Sequence, residues 1–204
     1  MTRSGKFITL DGVDGAGKST HLEFVADWLR RQGREVVVTR EPGGTPLGEA
    51  LRELLLHRNM AADTELLLMF AARQQHLAGL IWPALERGAW VVSDRFTDAS
   101  YAYQCGGRGI AVERVAALEA WVQQGFQPDL TLLFDVPPEV AEARRSAARE
   151  ADRFEREARS FFNRVRAAYL ERAGADPMRV RILDARQGID ALQNEIIQLL
   201  LGVQ

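Results

Sequence analysis

The chain has 204 residues, 47% of them hydrophobic, enough to bury one sizeable core and read most economically as a single domain, 1–204. Its formal net charge of −2 at pH 7 offers no electrostatic hold on nucleic acid or an anionic membrane. A single cysteine, Cys105, cannot form an internal disulfide, no apolar run approaches the ~20 residues of a transmembrane helix, and the first strand starts too near Met1 for a signal peptide, so a cytoplasmic protein is expected.

Phe7, Ile8, Thr9 and Leu10 read as a buried strand. Gly12 to Thr20, GVDGAGKST, then match the phosphate-binding loop GxxxxGK[ST], and His21 to Gln32 carry Leu22, Val25, Ala26 and Leu29 at helical spacing as far as Gly33. Strand, loop and helix in that order are the context the motif needs. Gly12, Gly15 and Gly17 let the backbone turn its N–H groups inward. A polyphosphate would then sit in a ring of donors formed by Gly12, Val13, Asp14, Gly15, Ala16, Gly17, Lys18, Ser19 and Thr20 at the helix N-terminus. Lys18 is expected to place a point charge on the β- and γ-phosphates, and the Ser19 hydroxyl to bind Mg²⁺. Of the 26 Lys and Arg residues only Lys6 and Lys18 are lysine, so a chain that elsewhere uses arginine keeps the compact ammonium here.

Val36, Val37 and Val38 form a second strand, apolar throughout, that ends at Thr39, Arg40 and Glu41 before a turn forced by Pro42, Gly43 and Gly44. Thr45 and Pro46 suit the N-cap and first position of a helix carrying Leu47, Leu51, Leu54 and Leu55. Asp63 and Thr64 are expected to cap a long helix through Leu66, Leu67, Phe70 and Leu77, kinked or restarted at Pro83 and closed by Gly88. Trp90, Val91 and Val92 make a third strand ending at Asp94. Phe96 to Tyr103 looks helical, Gly106, Gly107 and Gly109 around Arg108 look like loop, and Val112 to Gln124 is amphipathic. Leu130 to Val136 is a fourth strand, Pro137 and Pro138 open a helix at Glu139, Asn163 to Ala173 is helical, Val180 to Leu183 is a short last strand and Ile189 to Leu201 a final helix.

Strands alternating with helices imply an α/β fold, an open parallel sheet with helices on both faces. Ligands of such sheets gather beyond the carboxyl ends of the strands, which singles out Asp11, Arg40, Glu41, Asp94, Arg95 and Asp135. Asp94 can hold Mg²⁺ directly or through water, and Arg95 can bridge phosphates.

The strings TREPGGT at Thr39 to Thr45, FAAR at Phe70 to Arg73, DRF at Asp94 to Phe96, and SYAYQ with GGRG from Ser100 to Gly109, together with GVDGAGKST, closely resemble the thymidylate kinase family in its bacterial form. The likeness runs over essentially the whole chain. It implies transfer of the γ-phosphoryl group of Mg·ATP to dTMP, giving ADP and dTDP for dTTP biosynthesis. It also implies a five-stranded nucleoside-monophosphate-kinase fold, a short mobile lid at about 144–155 and a homodimer. The resemblance places Asp14 at the deoxyribose 3′-hydroxyl, Glu41 and Arg52 beside the substrate, Arg73 on the thymine and Arg95 on the dTMP phosphate. Ser100 and Gln104 fall where the family reads the pyrimidine edge, and Tyr103 where an aromatic ring leaves no room for a ribose 2′-hydroxyl. A hydroxyl and an amide can satisfy donor and acceptor at N3 and O4, and a ring excludes a ribonucleotide sterically.

Two positions depart from the family pattern. The stacking aromatic four residues before the thymine arginine is Met69 here, and Phe70 lies three before, on the same helical side as Arg73. Phe70 is the expected thymine platform, with Met69 as substitute and a core role for Phe70 as the alternative. Some members carry a basic residue inside the loop where this chain has Gly15, so cationic cover must come from Arg144, Arg145, Arg149 and Arg153. This resembles the branch of the family whose lid brings an arginine over ATP, and the resemblance implies Arg153, in Asp152-Arg153 followed by Glu155, as the catalytic arginine and Arg144 as the adenine-facing one. The remaining charges of Glu139 to Arg159 make a solvated face.

His21, His57 and His76 are unclustered and read as structural or surface, Trp28, Trp82, Trp90 and Trp121 as core or dimer contacts, and Asp135 as a cap rather than part of a Mg²⁺ shell. The nearest rival is another nucleoside-monophosphate or deoxynucleoside kinase. A GTPase switch would carry NKxD, which is absent, and a partitioning-type ATPase an early loop lysine where this chain has Val13 and Asp14.

Overall fold

The structure, a computed structural model, describes residues 5–145 and 152–203. Five strands, β1 (Phe7–Asp11), β2 (Val36–Arg40), β3 (Trp90–Asp94), β4 (Leu130–Asp135) and β5 (Val180–Asp184), pair in parallel in the order β2-β3-β1-β4-β5. Leu10 lies opposite both Asp94 and Leu132, and Arg40 opposite Asp94, so β1, β2 and β3 end side by side.

Side chains of a strand alternate between faces, and here both faces are covered. Ile8, Leu10 and Val92 enter a core with Val25, Leu29, Val165 and Ile196, whereas Phe7 and Val91 enter a second with Leu66, Phe70, Ile81 and Phe96. Every residue of β1 is buried, as its apolar run requires. Its one hydroxyl, Thr9 Oγ1, pairs with Thr131 Oγ1 of β4 at 2.8 Å.

Gly17, in the left-handed region at φ 96°, starts α1 (Lys18–Arg31), and Gly33 at φ 77° ends it. Thr45 caps α2 (Pro46–His57) as expected, its hydroxyl accepting from Gly48 N at 3.0 Å. The next helix, α3 (Ala62–His76), begins after Ala61. Asp63 does not cap it but pairs with Arg114 at 2.7 Å. The predicted kink is a π-helical turn, Leu77–Ile81, leading into α4 (Trp82–Glu86). Pro83 has no N–H to give and its ring crowds the preceding turn, and the backbone widens just ahead of it.

After α5 (Thr97–Ser100) the chain runs into a second π-helical segment, Tyr101–Gly107. Gly106 and Gly107 are therefore helical, contrary to the loop expected. A Cβ on Gly106 would lie 2.7 Å from Ala168 Cβ and one on Gly107 would enter the Phe161 ring, so these glycines admit α8 (Arg159–Ala175) rather than make a turn. The remaining helices are α6 (Val112–Gln123), α7 (Pro138–Arg145) and α9 (Ile189–Leu201). Of the expected lid at about 144–155, positions 146–151, Arg149 among them, lie outside the described residues. No described helix is long and apolar enough to cross a membrane.

Candidate active site

The phosphate loop folds as its sequence demands. Gly12, at φ 136°, passes so close to β4 that a Cβ there would lie 2.5 Å from Phe134 O. Lys18 is buried and donates to the loop's own Gly12 O at 2.8 Å and Val13 O at 3.0 Å, with Asp14 Oδ1 3.8 Å away. Burial and the neighbouring Arg95 hold its ammonium below the ordinary lysine value, against the pull of Asp14, Asp94 and Asp11. A phosphate in the loop would add negative charge beside this ammonium and favour its protonated form.

Beyond the strand ends a groove of about 680 Å³ continues from the loop, lined at one end by Asp14, Gly15 and Ser19 and further along by Arg73, Ser100 and Gln104. Its floor is a buried relay. Thr39 Oγ1 and His76 Nε2 are 2.7 Å apart, His76 Nδ1 and Glu41 Oε1 3.0 Å, and Arg73 Nε donates to Glu41 Oε2 at 2.8 Å. Arg73 Nη2 also donates to Ser100 Oγ at 3.0 Å and Phe96 O at 3.2 Å, while Nη1 is buried with no partner. A guanidinium held this way and lining the groove is a fixed set of donors at its wall. Gly44 makes the relay possible, because a Cβ there would sit 2.5 Å from both His76 Nε2 and Thr39 Oγ1.

Between relay and loop stands Arg95, a non-glycine residue at φ 71°, a strained backbone of the kind that concentrates at functional sites. Its Nη2 donates to Asp14 Oδ1 at 2.7 Å and Tyr103 Oη at 3.0 Å. Arg52 donates to Pro42 O at 2.9 Å. Burial, with Arg40 and Arg95 nearby, lowers its affinity for its proton. Arginines gathered around one end of a groove in this way form an anion site. Asp94 lines the same space, and its Oδ1 is buried without a partner.

Residues 10–196 match the family model described as thymidylate kinase. The chain belongs to the thymidylate kinase family. It is 79% identical over 200 residues to the thymidylate kinase of Thiobacillus denitrificans, covering 98% of each chain. With that of Methylobacillus flagellatus it shares 61% over 196 residues, 96% of this chain and 97% of the relative. The crystal structure of the thymidylate kinase from Ehrlichia chaffeensis superposes with a TM-score of 0.80 at 32% identity, covering 97% of this chain and 98% of that one.

Of the expected site residues, Asp14, Ser19, Glu41, Arg52, Arg73, Asp94, Arg95, Ser100, Tyr103 and Gln104 line this one groove. Other expected residues lie elsewhere. Phe70 is 2% exposed, packed in the second core with Arg73 over its ring at 4.6 Å, and Met69 lines the groove in its place. Residues three and four before Arg73 share a helical side, but only the latter turns its side chain outward here. Arg153 does not cover the loop. Its Nη2 lies 2.7 Å from Glu65 Oε2, its Nε donates to Leu55 O at 3.1 Å and its backbone N–H to Leu56 O at 3.1 Å. Arg159 lines the groove instead.

Arg144 donates to Ala185 O at 2.9 Å. Asp135 is paired with Arg166, which donates to both its oxygens at 2.6 and 2.8 Å. His76 is structural, one of the two roles expected of it, and bridges Thr39 and Glu41, whereas Glu65, 0% exposed, was not among the expected residues. The available signal was spacing, since His76 lies three residues after Arg73 and Glu65 eight before it on one helix. Cys105 is inert as a nucleophile, its thiol pushed up to about 11 by burial.

Proposed function

We infer that this protein transfers the γ-phosphoryl group of ATP to dTMP, releasing ADP and dTDP. The observation that carries the reading is the continuity of one groove from the phosphate loop, at Gly15 and Ser19, to the base-reading set of Arg73, Ser100 and Gln104. Two nucleotides laid end to end in it meet at Arg95 and Lys18. Both cations neutralise charge where the phosphates approach, and positioning does the rest. No general base is needed, because the attacking dTMP phosphate oxygen is already anionic.

Arg73 supplies a donor for the thymine, Met69 packs against the ring, and the Tyr103 ring, braced by Arg95, occupies the space a 2′-hydroxyl would need. Asp14 reaches the 3′-hydroxyl. Glu41 holds Arg73, and Arg52 joins Arg95 at the dTMP phosphate. The unpartnered Asp94 Oδ1 and the exposed Ser19 hydroxyl fit a Mg²⁺ ion, which when bound screens the phosphate oxygens. Arg144 faces the adenine side near Ala185. Cationic cover from the rim falls to Arg159 among the described residues, with Arg153 serving only if it leaves Glu65.

The 204 residues act as one domain, with a cytoplasmic location. Leu54 and Leu67, 45% and 57% exposed on the mutually packed α2 and α3, support a homodimer, which sedimentation would register as twice the 22.8 kDa chain mass. An ADP-release assay with Mg·ATP across dTMP, dCMP, UMP and thymidine tests the reaction. The fastest release is expected with dTMP, and faster release with any of the others would overturn the assignment.

A further inference from the structure

Glu65 is a fully buried carboxylate that belongs to no step above. Two cations converge on its Oε2, Arg153 Nη2 at 2.7 Å and Arg108 Nε at 3.2 Å. Its Oε1 takes the amide of Gln104, Nε2 to oxygen 2.8 Å, and Gln104 is itself only 1% exposed. A carboxylate paired with two arginines accepts hydrogen bonds and donates none, so it admits the Gln104 side chain in one orientation only, nitrogen inward. The amide oxygen must then turn the other way. Gln104 lines the groove, and its Oε1 receives no donor from the described residues.

The groove is thus lined by Gln104, whose acceptor Oε1 is fixed, and by Arg73, whose guanidinium can only donate. A pyrimidine with a 4-keto group and a protonated N3, such as thymine or uracil, offers the complementary acceptor and donor. Cytosine offers the reverse, an amino donor at position 4 and a bare N3 acceptor. With a free amide, Gln104 could rotate to meet either base. With Glu65 behind it, it cannot.

We propose that Glu65 is a positioning residue which, by locking the Gln104 amide nitrogen inward, makes the groove select 4-keto over 4-amino pyrimidine nucleotides. The proposal rests on the reading of the groove as the dTMP site. The same carboxylate anchors Arg153 and Arg108, and Arg108 in turn pairs with Glu157, so the base reader and residues 153–157 share one support.

The test is kcat/KM for dTMP and for dCMP, measured on the full chain and on Glu65→Gln. A glutamine at 65 can either donate or accept, so Gln104 regains both orientations. The dTMP to dCMP ratio should then fall about tenfold or more, mainly through KM for dTMP. A merely structural carboxylate would lower both values by one factor and leave the ratio unmoved, which would overturn the proposal. Gln104→Met keeps Glu65 and its two arginines intact and so stands even if Glu65→Gln does not fold. It too should collapse the ratio, and a ratio kept at the wild-type value would equally overturn the proposal. Absence of dTMP turnover in the wild-type chain is a separate result that removes the underlying reading and this inference with it.

Discussion

Glu41→Gln tests the relay beneath the groove. Glu41, Arg73 and His76 are 5%, 2% and 0% exposed, and the carboxylate takes Arg73 Nε at 2.8 Å and lies 3.0 Å from His76 Nδ1. A glutamine keeps the shape and one acceptor but leaves a buried guanidinium without its countercharge, a loss of about 3–5 kcal/mol in stability. For a chain of this length each kcal/mol moves Tm by about 2–4 °C, so a fall of roughly 10 °C is expected.

The dependence on pH has a definite sign. Burial raises the Glu41 carboxyl, but Arg73 and His76 together carry it below its ordinary value of 4.5. A carboxyl lowered by folding contributes stability that is present above the unfolded-state value and is lost as pH falls through the folded-state one. The Tm gap between wild type and Glu41→Gln should therefore be full at neutral pH and close in acid, starting near pH 4.5. Scanning calorimetry on the ligand-free protein across that range measures it, and steady-state kinetics should show KM for dTMP rising more than kcat falls. A neutral-pH shift within about 2 °C, or a gap that persists unchanged in acid, would refute the buried-pair reasoning.

Lys18→Ala should lower kcat by about a hundredfold or more with the far-ultraviolet circular dichroism unchanged, and turnover at the wild-type level would take Lys18 out of the mechanism. Arg153→Ala leaves Glu65 with Arg108 as its one remaining arginine, so Tm should drop by several degrees while kcat stays within about tenfold. A much larger kcat loss at unchanged Tm would put Arg153 back over the transferred phosphate. Asp11, fully buried with Oδ2 unpartnered, has its carboxyl pushed up to about 7, chiefly by burial and then by Asp98. Its contribution to stability is complete below its unfolded value near 3.8 and is lost as pH rises through 7, so Asp11→Asn should raise Tm at alkaline pH and change it little in acid. Equal Tm values for the two proteins at alkaline pH would contradict this.

What the sequence disclosed follows from where each residue's partners lie. The phosphate loop, the Thr45 cap with Pro46 behind it and the Gly33 stop are decided within a few residues, and all three stand as expected. The α/β alternation likewise fixed an open parallel sheet, because apolar strands separated by amphipathic helices have few other ways to be covered on both faces. Glu65 and His76 stayed hidden because their partners are remote: Gln104 lies 39 residues from Glu65, and Glu41 35 from His76. Gly106 and Gly107 misled because a glycine that makes room for another helix is locally indistinguishable from one that turns the chain. Helical periodicity confined the base-facing side chain to Met69 or Phe70, and only the packing of the second core separated them.

The wide-turned stretch Tyr101–Gly107 also bears on which lengths of this polypeptide are heritable. It carries an extra residue per hydrogen-bonded ring relative to an α-helix. Excising one amino acid there would tighten the coil and swing everything after the cut by about 100°. Arg108 would leave Glu65, and the glycines at 106 and 107 would no longer meet α8. Insertions and deletions should therefore be purged from this segment even where single replacements are tolerated, so that its spacing, more than its spelling, is what selection guards.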